Sequence, residues 1–138
     1  MDTSTFTLSP AGSQPADPVN IVRHLIGGAW RDSADGAQFE RHSPAHVTLV
    51  SKVAKGGIAE ANAAILAARK AFDGGEWSGL PGKERAAFLL NVADLIIENR
   101  ARIARLEVLE SGKPISQAEA EIEGAADLWR YAAALART

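Results

Sequence analysis

The chain has no cysteine among its 138 residues, which removes disulfides, thiolate metal sites and thiol nucleophiles together. It also lacks an excess of either charge: 15 Lys and Arg stand against 17 Asp and Glu, a formal net charge of -2. Such a balance creates no field that would collect nucleic acid or an anionic membrane surface, and neither is expected as a partner. Long hydrophobic runs are missing too. The stretch Ala86 to Ile97 is interrupted by Asn91 and Asp94, so nothing in it spans a bilayer. The opening Met1-Asp2-Thr3 is not a basic region followed by an apolar one, and the expected location is cytoplasmic. No G-x-G-x-x-G or G-x-S-x-G occurs, so neither that dinucleotide fingerprint nor a nucleophile elbow is present.

What is there reads as globular. Apolar residues make up 46% and charged residues 23%, enough for a packed core over most of the length. Residues 1–22 are read as a flexible arm, because Ser, Thr, Pro, Gly and Ala mix there with little periodicity as far as about Asn20. Residues 23–138 are read as the folded unit. His24-Leu25-Ile26 and Ala29-Trp30-Arg31 flank Gly27-Gly28, a two-residue hairpin signal, since that turn needs positive φ at both positions. Ser33 to Gly36 is a second turn. Gln38 to His42 alternates until Pro44 stops the ladder, and Thr48 to Val53 resumes a strand rich in β-branched residues. Residues 23–54 are thus expected to form a small antiparallel meander.

The period then changes from two to 3.6. Ala61, Ile65, Ala68 and Phe72 form one apolar stripe on a helix that Gly74-Gly75 ends. Pro81 opens a second helix reaching roughly Glu98, with Phe88, Val92, Leu95 and Ile96 on one face. Ile103, Leu106 and Leu109 carry a third, which Gly112 caps and Pro114 stops. Ser116 to Glu119 has the form of a capping box opening a fourth helix through Ile122, Ala126, Trp129 and Ala133. The expected fold class is α+β: short antiparallel strands followed by four helices.

Isolated chemical candidates are weak. Gly112-Lys113 has Glu107 and Pro114 where a phosphate-binding loop needs Gly and a hydroxyl residue. His42 and His46 have metal-ligand spacing on a helix, but Pro44 between them forbids one. Glu119 and Glu123 share a helix face from which Glu121 points away, and Asp127 follows. A solvated face near a helix N-terminus accounts for these acids better than an acid/base pair. The residues contain no complete active site.

Several segments, taken in order, resemble the start of aldehyde dehydrogenases. They are Leu25 to Trp30; Phe39 to Ala45, ending Ser43-Pro44-Ala45; Ala67 to Phe72 with Trp77 beyond it; and Glu84-Arg85 with Leu89-Leu90 and Ala93-Asp94. The sharpest is Leu106 to Pro114, similar to the family's block ending in Gly-Lys-Pro, and Arg130-Tyr131-Ala132-Ala133 resembles the helix end that follows. Betaine-aldehyde dehydrogenases are among the branches it is similar to. Departures are Ser43 for the usual Asn, Val47 where a turn Gly is common, Gly56-Gly57 for an acidic lead-in, and Ala132 and Ala134 for Tyr and Gly.

The resemblance implies the N-terminal part of an α/β enzyme that oxidises an aldehyde to a carboxylic acid with NAD or NADP. In that chemistry a thiolate attacks the aldehyde, fixed donors hold the oxyanion, and a glutamate activates water. The resemblance places the catalytic and cofactor-binding residues beyond Thr138. The chain alone is therefore expected to be inactive and to bind no cofactor. It also implies that Ala120, Gly124 and Leu128 line a substrate tunnel, the alternative for the same spacing being helix core. A monovalent cation site implied for some members would use the Arg41 and His42 carbonyls with Glu110. Glu110 otherwise reads as a solvated helix-end acid whose compensating cation is Lys113. Two functional readings stay open: the N-terminal part of the enzyme, or a non-catalytic module that associates with full-length subunits. Both expect exposed apolar surface, hence self-association or pairing with dehydrogenase subunits.

Overall fold

The computed structural model describes residues 19–137. The expected arm lies outside the described residues as far as residue 18, but its last part does not. Asn20–Val22 is strand β1, paired in parallel with β5 (Leu49–Ala54) through Asn20↔Ser51 and Val22↔Val53. On its other side β5 pairs antiparallel with β4 (Gln38–His42), giving the order β1-β5-β4. Strands β2 (His24–Ile26) and β3 (Ala29–Arg31) form a separate hairpin. Gly27 and Gly28 both have positive φ, 61° and 79°, as its two-residue turn requires.

Within residues 23–54 both pairings are antiparallel as expected, but they belong to two sheets rather than one meander, because β3 and β4 do not pair. Alternation identifies strands but not partners, and a residue-20 segment meeting residue 51 is a long-range choice that local pattern does not encode.

Four helices follow: α1 (Ile58–Gly74), α2 (Gly82–Glu98), α3 (Arg100–Ser111) and α4 (Ile115–Ala136). Gly75 and Gly112 close α1 and α3 in the left-handed conformation. The capping box expected at Ser116 does not form. Helix α4 begins two residues earlier than such a box requires, with Pro114 as its cap, and the Pro114 carbonyl accepts the Gln117 and Ala118 N–H groups at 3.1 Å each. Pro114, with φ -60° and ψ 141°, already makes the extended-to-helical transition, so Ser116 lies inside the first turn.

Helix α4 packs against α2 and α3 through small side chains. Ala86, Ala93, Ala104, Ala118, Ala126 and Ala133 are buried at these contacts. At Gly82 an added Cβ would fall on the Ala136 carbonyl, so the α2 and α4 backbones touch there. Because alanine brings the axes close, Leu89, Val92 and Ile96 of α2 are only half-buried. Of the expected stripe, Phe88 and Leu95 are exposed and Val92 and Ile96 half-buried, Phe88 resting edge-on against Trp77 at 5.4 Å between ring centres.

Candidate functional site

Ala120, Gly124 and Leu128 fall at successive four-residue steps along α4, on the side away from the buried Ala118, Ala126 and Ala133. All three are exposed, Leu128 by 69%, and nothing lies within 4 Å of a Cβ added at Gly124. The helix-core alternative for this stripe is thus corrected: within the described residues it buries nothing. It is a low, open strip of two small residues and one leucine, a surface able to form one wall of a channel.

The turn before α4 orients that strip. Gly112, φ 75°, returns its N–H to the Val108 carbonyl at 2.9 Å, and a Cβ there would sit 3.2 Å from Pro44 Cγ. The turn after α3 therefore rests on the β4–β5 loop. Lys113 then spans the two helices: its Nζ lies 2.5 Å from Glu121 Oε2 on α4 and 2.9 Å from Glu107 Oε1 on α3. Glu121 first, and Glu107 second, hold the ammonium above its usual range, and Lys113 in turn lowers the Glu121 carboxyl. A second ion pair, Arg100 with Glu123, joins the same helices further along.

Glu110 is placed differently from expectation. Lys113 does not serve it. Its carboxylate faces the cross-strand pair Arg41↔Ser51, accepting from Ser51 Oγ at 3.2 Å and lying 3.7 Å from Arg41 Nη2. The ladder is irregular between Arg41 and His42, and the His42 ring turns to Glu40 at 3.7 Å. A guanidinium thus occupies the neighbourhood of the one carboxylate offered to a cation, and its charge opposes a second cation there. The Glu110 carboxylate is already engaged by Arg41 and Ser51. Among the described residues no group of three or more His, Cys, Asp or Glu could hold a metal.

The N-terminal turn of α1 is not open to a phosphate. Gly56-Gly57 precedes α1, but Glu60 folds back over that terminus. Its Oε2 accepts the Gly57 N–H at 2.8 Å and its Oε1 the Ala34 N–H at 2.7 Å. These two backbone bonds, Ala34 first, lower the Glu60 carboxyl, so a fixed negative charge sits where an anion would need the free N–H groups. This hook was legible as Glu three residues after Gly57, the reciprocal half of a capping box, although glycine supplies no side chain to complete it.

Sequence reasoning flagged Ser43 and Val47 only as departures. The structure gives both a physical meaning. Ser43 is buried and its Oγ has no hydrogen-bond partner, while Val47 takes φ 55° in an exposed loop closed by Val47 N–H to Ser43 carbonyl at 2.8 Å. Neither touches the α4 strip. Two clefts are also present: one of about 310 Å³ beside Glu60, and one of about 540 Å³ between β1, Trp30, Leu106 and Glu110. Neither is lined by Ala120, Gly124 or Leu128.

With this geometry in hand, comparison with known proteins is specific. The profile of the aldehyde dehydrogenase family matches residues 30–138. Benzaldehyde dehydrogenase, mitochondrial, of Antirrhinum majus is 38% identical over 119 residues, covering 86% of this chain and 22% of that protein. Betaine aldehyde dehydrogenase of Bacillus subtilis is 39% identical over 113 residues, 81% of this chain and 23% of the relative. Among solved structures, an NAD-dependent aldehyde dehydrogenase from Sinorhizobium meliloti superimposes with a TM-score of 0.88 at 39% identity, over 94% of this chain and 26% of that one. Betaine aldehyde dehydrogenase from Staphylococcus aureus, in complex with NAD+, gives 0.82 at 34% identity over 84% and 23%. The chain spans about a quarter of the length of the proteins it matches.

Proposed function

The chain belongs to the aldehyde dehydrogenase family, and we propose that it serves the oxidation of an aldehyde to a carboxylic acid with NAD or NADP, as the N-terminal quarter of such an enzyme. The observation that carries this reading is the agreement of nearly the whole described backbone with an NAD-dependent family member at a TM-score of 0.88. Its contribution to the chemistry is shape rather than reactive groups. The nicotinamide, when bound, accepts hydride, and the Gly56-Gly57 turn before α1 is closed to a phosphate by Glu60. A covalent route through a thiohemiacetal needs a thiolate, and the chain contains no cysteine. What the chain offers is the α4 strip, held at its angle by Lys113 and Arg100. There Ala120 and Gly124 leave room for a substrate and Leu128 supplies apolar contact.

A two-part measurement tests this. The purified chain, mixed with an aldehyde and NAD+ or NADP+, should produce no nicotinamide absorbance above buffer; turnover that survives removal of contaminating enzymes would overturn it. Substituted for the matching quarter of the Sinorhizobium meliloti enzyme, the chain should support aldehyde oxidation. In that hybrid Gly124→Trp should lower kcat/KM for bulky aldehydes at least tenfold more than for small ones. A folded, cofactor-binding hybrid whose substrate range ignores residue 124 would remove α4 from the tunnel.

The second reading, a non-catalytic module that joins full-length subunits, is favoured by one feature outside the α4 strip: the unpartnered outer face of α1.

A further inference from the structure

We propose that Lys113 is a specificity-determining positioning residue: by holding the Glu121 carboxylate back toward the α3–α4 turn it keeps the α4 strip free of charge, so that the aldehydes admitted there are uncharged ones. The proposal rests on the reading above that Ala120, Gly124 and Leu128 face the aldehyde.

Glu121 borders that strip. It stands three residues before Gly124, and residues three or four apart are neighbours on a helix surface. Ala120 and Gly124 have no side chain long enough to screen an aldehyde from a carboxylate there, and a Cβ added at Gly124 meets nothing within 4 Å. An unrestrained Glu121 would therefore set a negative charge beside the aldehyde, attracting a cationic one and repelling an anionic one.

Both of its oxygens are restrained. Oε2 lies 2.5 Å from Lys113 Nζ, and Oε1 accepts from Gln117 Nε2 at 3.3 Å. Gln117 and Lys113 both precede Glu121 in the chain, so the carboxylate is drawn toward the start of α4, away from Gly124 and Leu128. Lys113 is itself fixed. Its N–H donates to Ser111 Oγ at 3.3 Å, Gly112 before it has φ 75° and Pro114 after it φ -60°, and Glu107 on α3 takes the other side of the ammonium at 2.9 Å. The Lys113 side chain is only 22% exposed, so water weakens this pair less than one in the open. The second acid beside the strip is Asp127, three residues after Gly124. Arg130 meets it at 3.0 Å and reaches Asp94 on α2 with its other nitrogen at 3.4 Å. Each carboxylate flanking Gly124 is thus answered by a cation that a second helix also holds.

Two measurements test this. In the 138-residue chain, NMR titration of the Glu121 carboxyl carbon should place it below the ordinary range, and Lys113→Met should return it toward that range. Identical titrations would overturn the proposal without reference to activity. In the hybrid with the Sinorhizobium meliloti enzyme, kcat/KM is compared for 4,4-dimethylpentanal and 3-(trimethylammonio)propanal, which share a shape and differ in charge. The uncharged aldehyde should be preferred, and preference for the cation would count against the proposal. Lys113→Met should shift the ratio about tenfold toward the cation, mainly through KM, and Lys113→Arg should leave it within about threefold. Adding Glu121→Gln to Lys113→Met should restore the parent ratio. A shift that survives Glu121→Gln would make the role of Lys113 merely structural, and a ratio unmoved by Lys113→Met would mean that Glu121 does not reach the aldehyde; either overturns the proposal. Gly124→Trp in the same hybrid separates the two readings. If it alters the substrate range while Lys113→Met does not, the α4 wall stands and this proposal alone falls; if neither acts, both fall.

Discussion

At the scale of single residues, the β4–β5 loop carries a local conflict. Val47 is 80% exposed, so packing does not hold it in the left-handed region; the loop's own hydrogen bonds do. That conformation costs an L-residue about 1–2 kcal/mol, and β-branching aggravates it. Glycine removes the clash but adds freedom to the unfolded chain worth about 0.4–1 kcal/mol. Val47→Gly should therefore stabilise the chain by about 0.5–1 kcal/mol, raising Tm by a few degrees in thermal unfolding. A lower Tm would mean that the loop does not need positive φ at this position. Ser43, one turn away, is a different kind of residue: a small polar group whose burial follows from the strand path and whose hydroxyl finds no partner.

At the scale of elements, caps and clamps fix orientation where apolar contact is thin. Glu60 fastens the first turn of α1, and its folded carboxyl titrates below the ordinary range because it accepts the Ala34 and Gly57 N–H groups. A lowered folded pKa contributes stability above the unfolded value, about 4.3, and that contribution disappears as pH falls through the folded value. Glu60→Gln should accordingly lower Tm at pH 7 and reduce its fall on acidification below about pH 4.3, the part owed to Glu121 and Asp73 remaining. Equal acid slopes for the two proteins would refute the hook. Lys113 obeys the opposite sign: its raised folded pKa stabilises below about 10.4 and is lost only at higher pH. The α3–α4 clamp is thus intact across neutral pH.

At the scale of the whole molecule, the apolar surface is poorly covered. The buried core consists mainly of alanines, while Phe72, Phe88, Leu128 and Leu135 are all exposed. Even 300 Å² of such surface, at about 25 cal/mol per Å², is worth several kcal/mol before association costs. The isolated chain should therefore self-associate, its sedimentation coefficient rising with concentration and an apolar dye brightening on it. A monomer at every concentration, dark to the dye and unfolding cooperatively, would show that the helices satisfy one another. Among the described residues no helix is long and apolar enough to cross a membrane.

What the sequence determined by itself were the features that repeat locally. The Gly27-Gly28 turn, the ends of α1 and α3 at Gly75 and Gly112, and the extent of α2 were legible because backbone conformation there depends on one or two residues. The family was legible for the same reason: Gly112-Lys113-Pro114 and its companions are short, ordered signatures. The candidate strip Ala120, Gly124 and Leu128 was implied by the family resemblance, and its exposure came only with the structure. Only the tertiary structure decided which side of each helix is inside: alanine contacts bring α2 and α4 close, with Phe88 and Leu95 exposed and Val92 and Ile96 half-buried. It likewise decided that β1 joins β5 in parallel, that Arg41 rather than Lys113 meets Glu110, and that Lys113 bridges Glu107 and Glu121. These are meetings of residues distant in the chain, set by how the elements stack, and no local period carries that information.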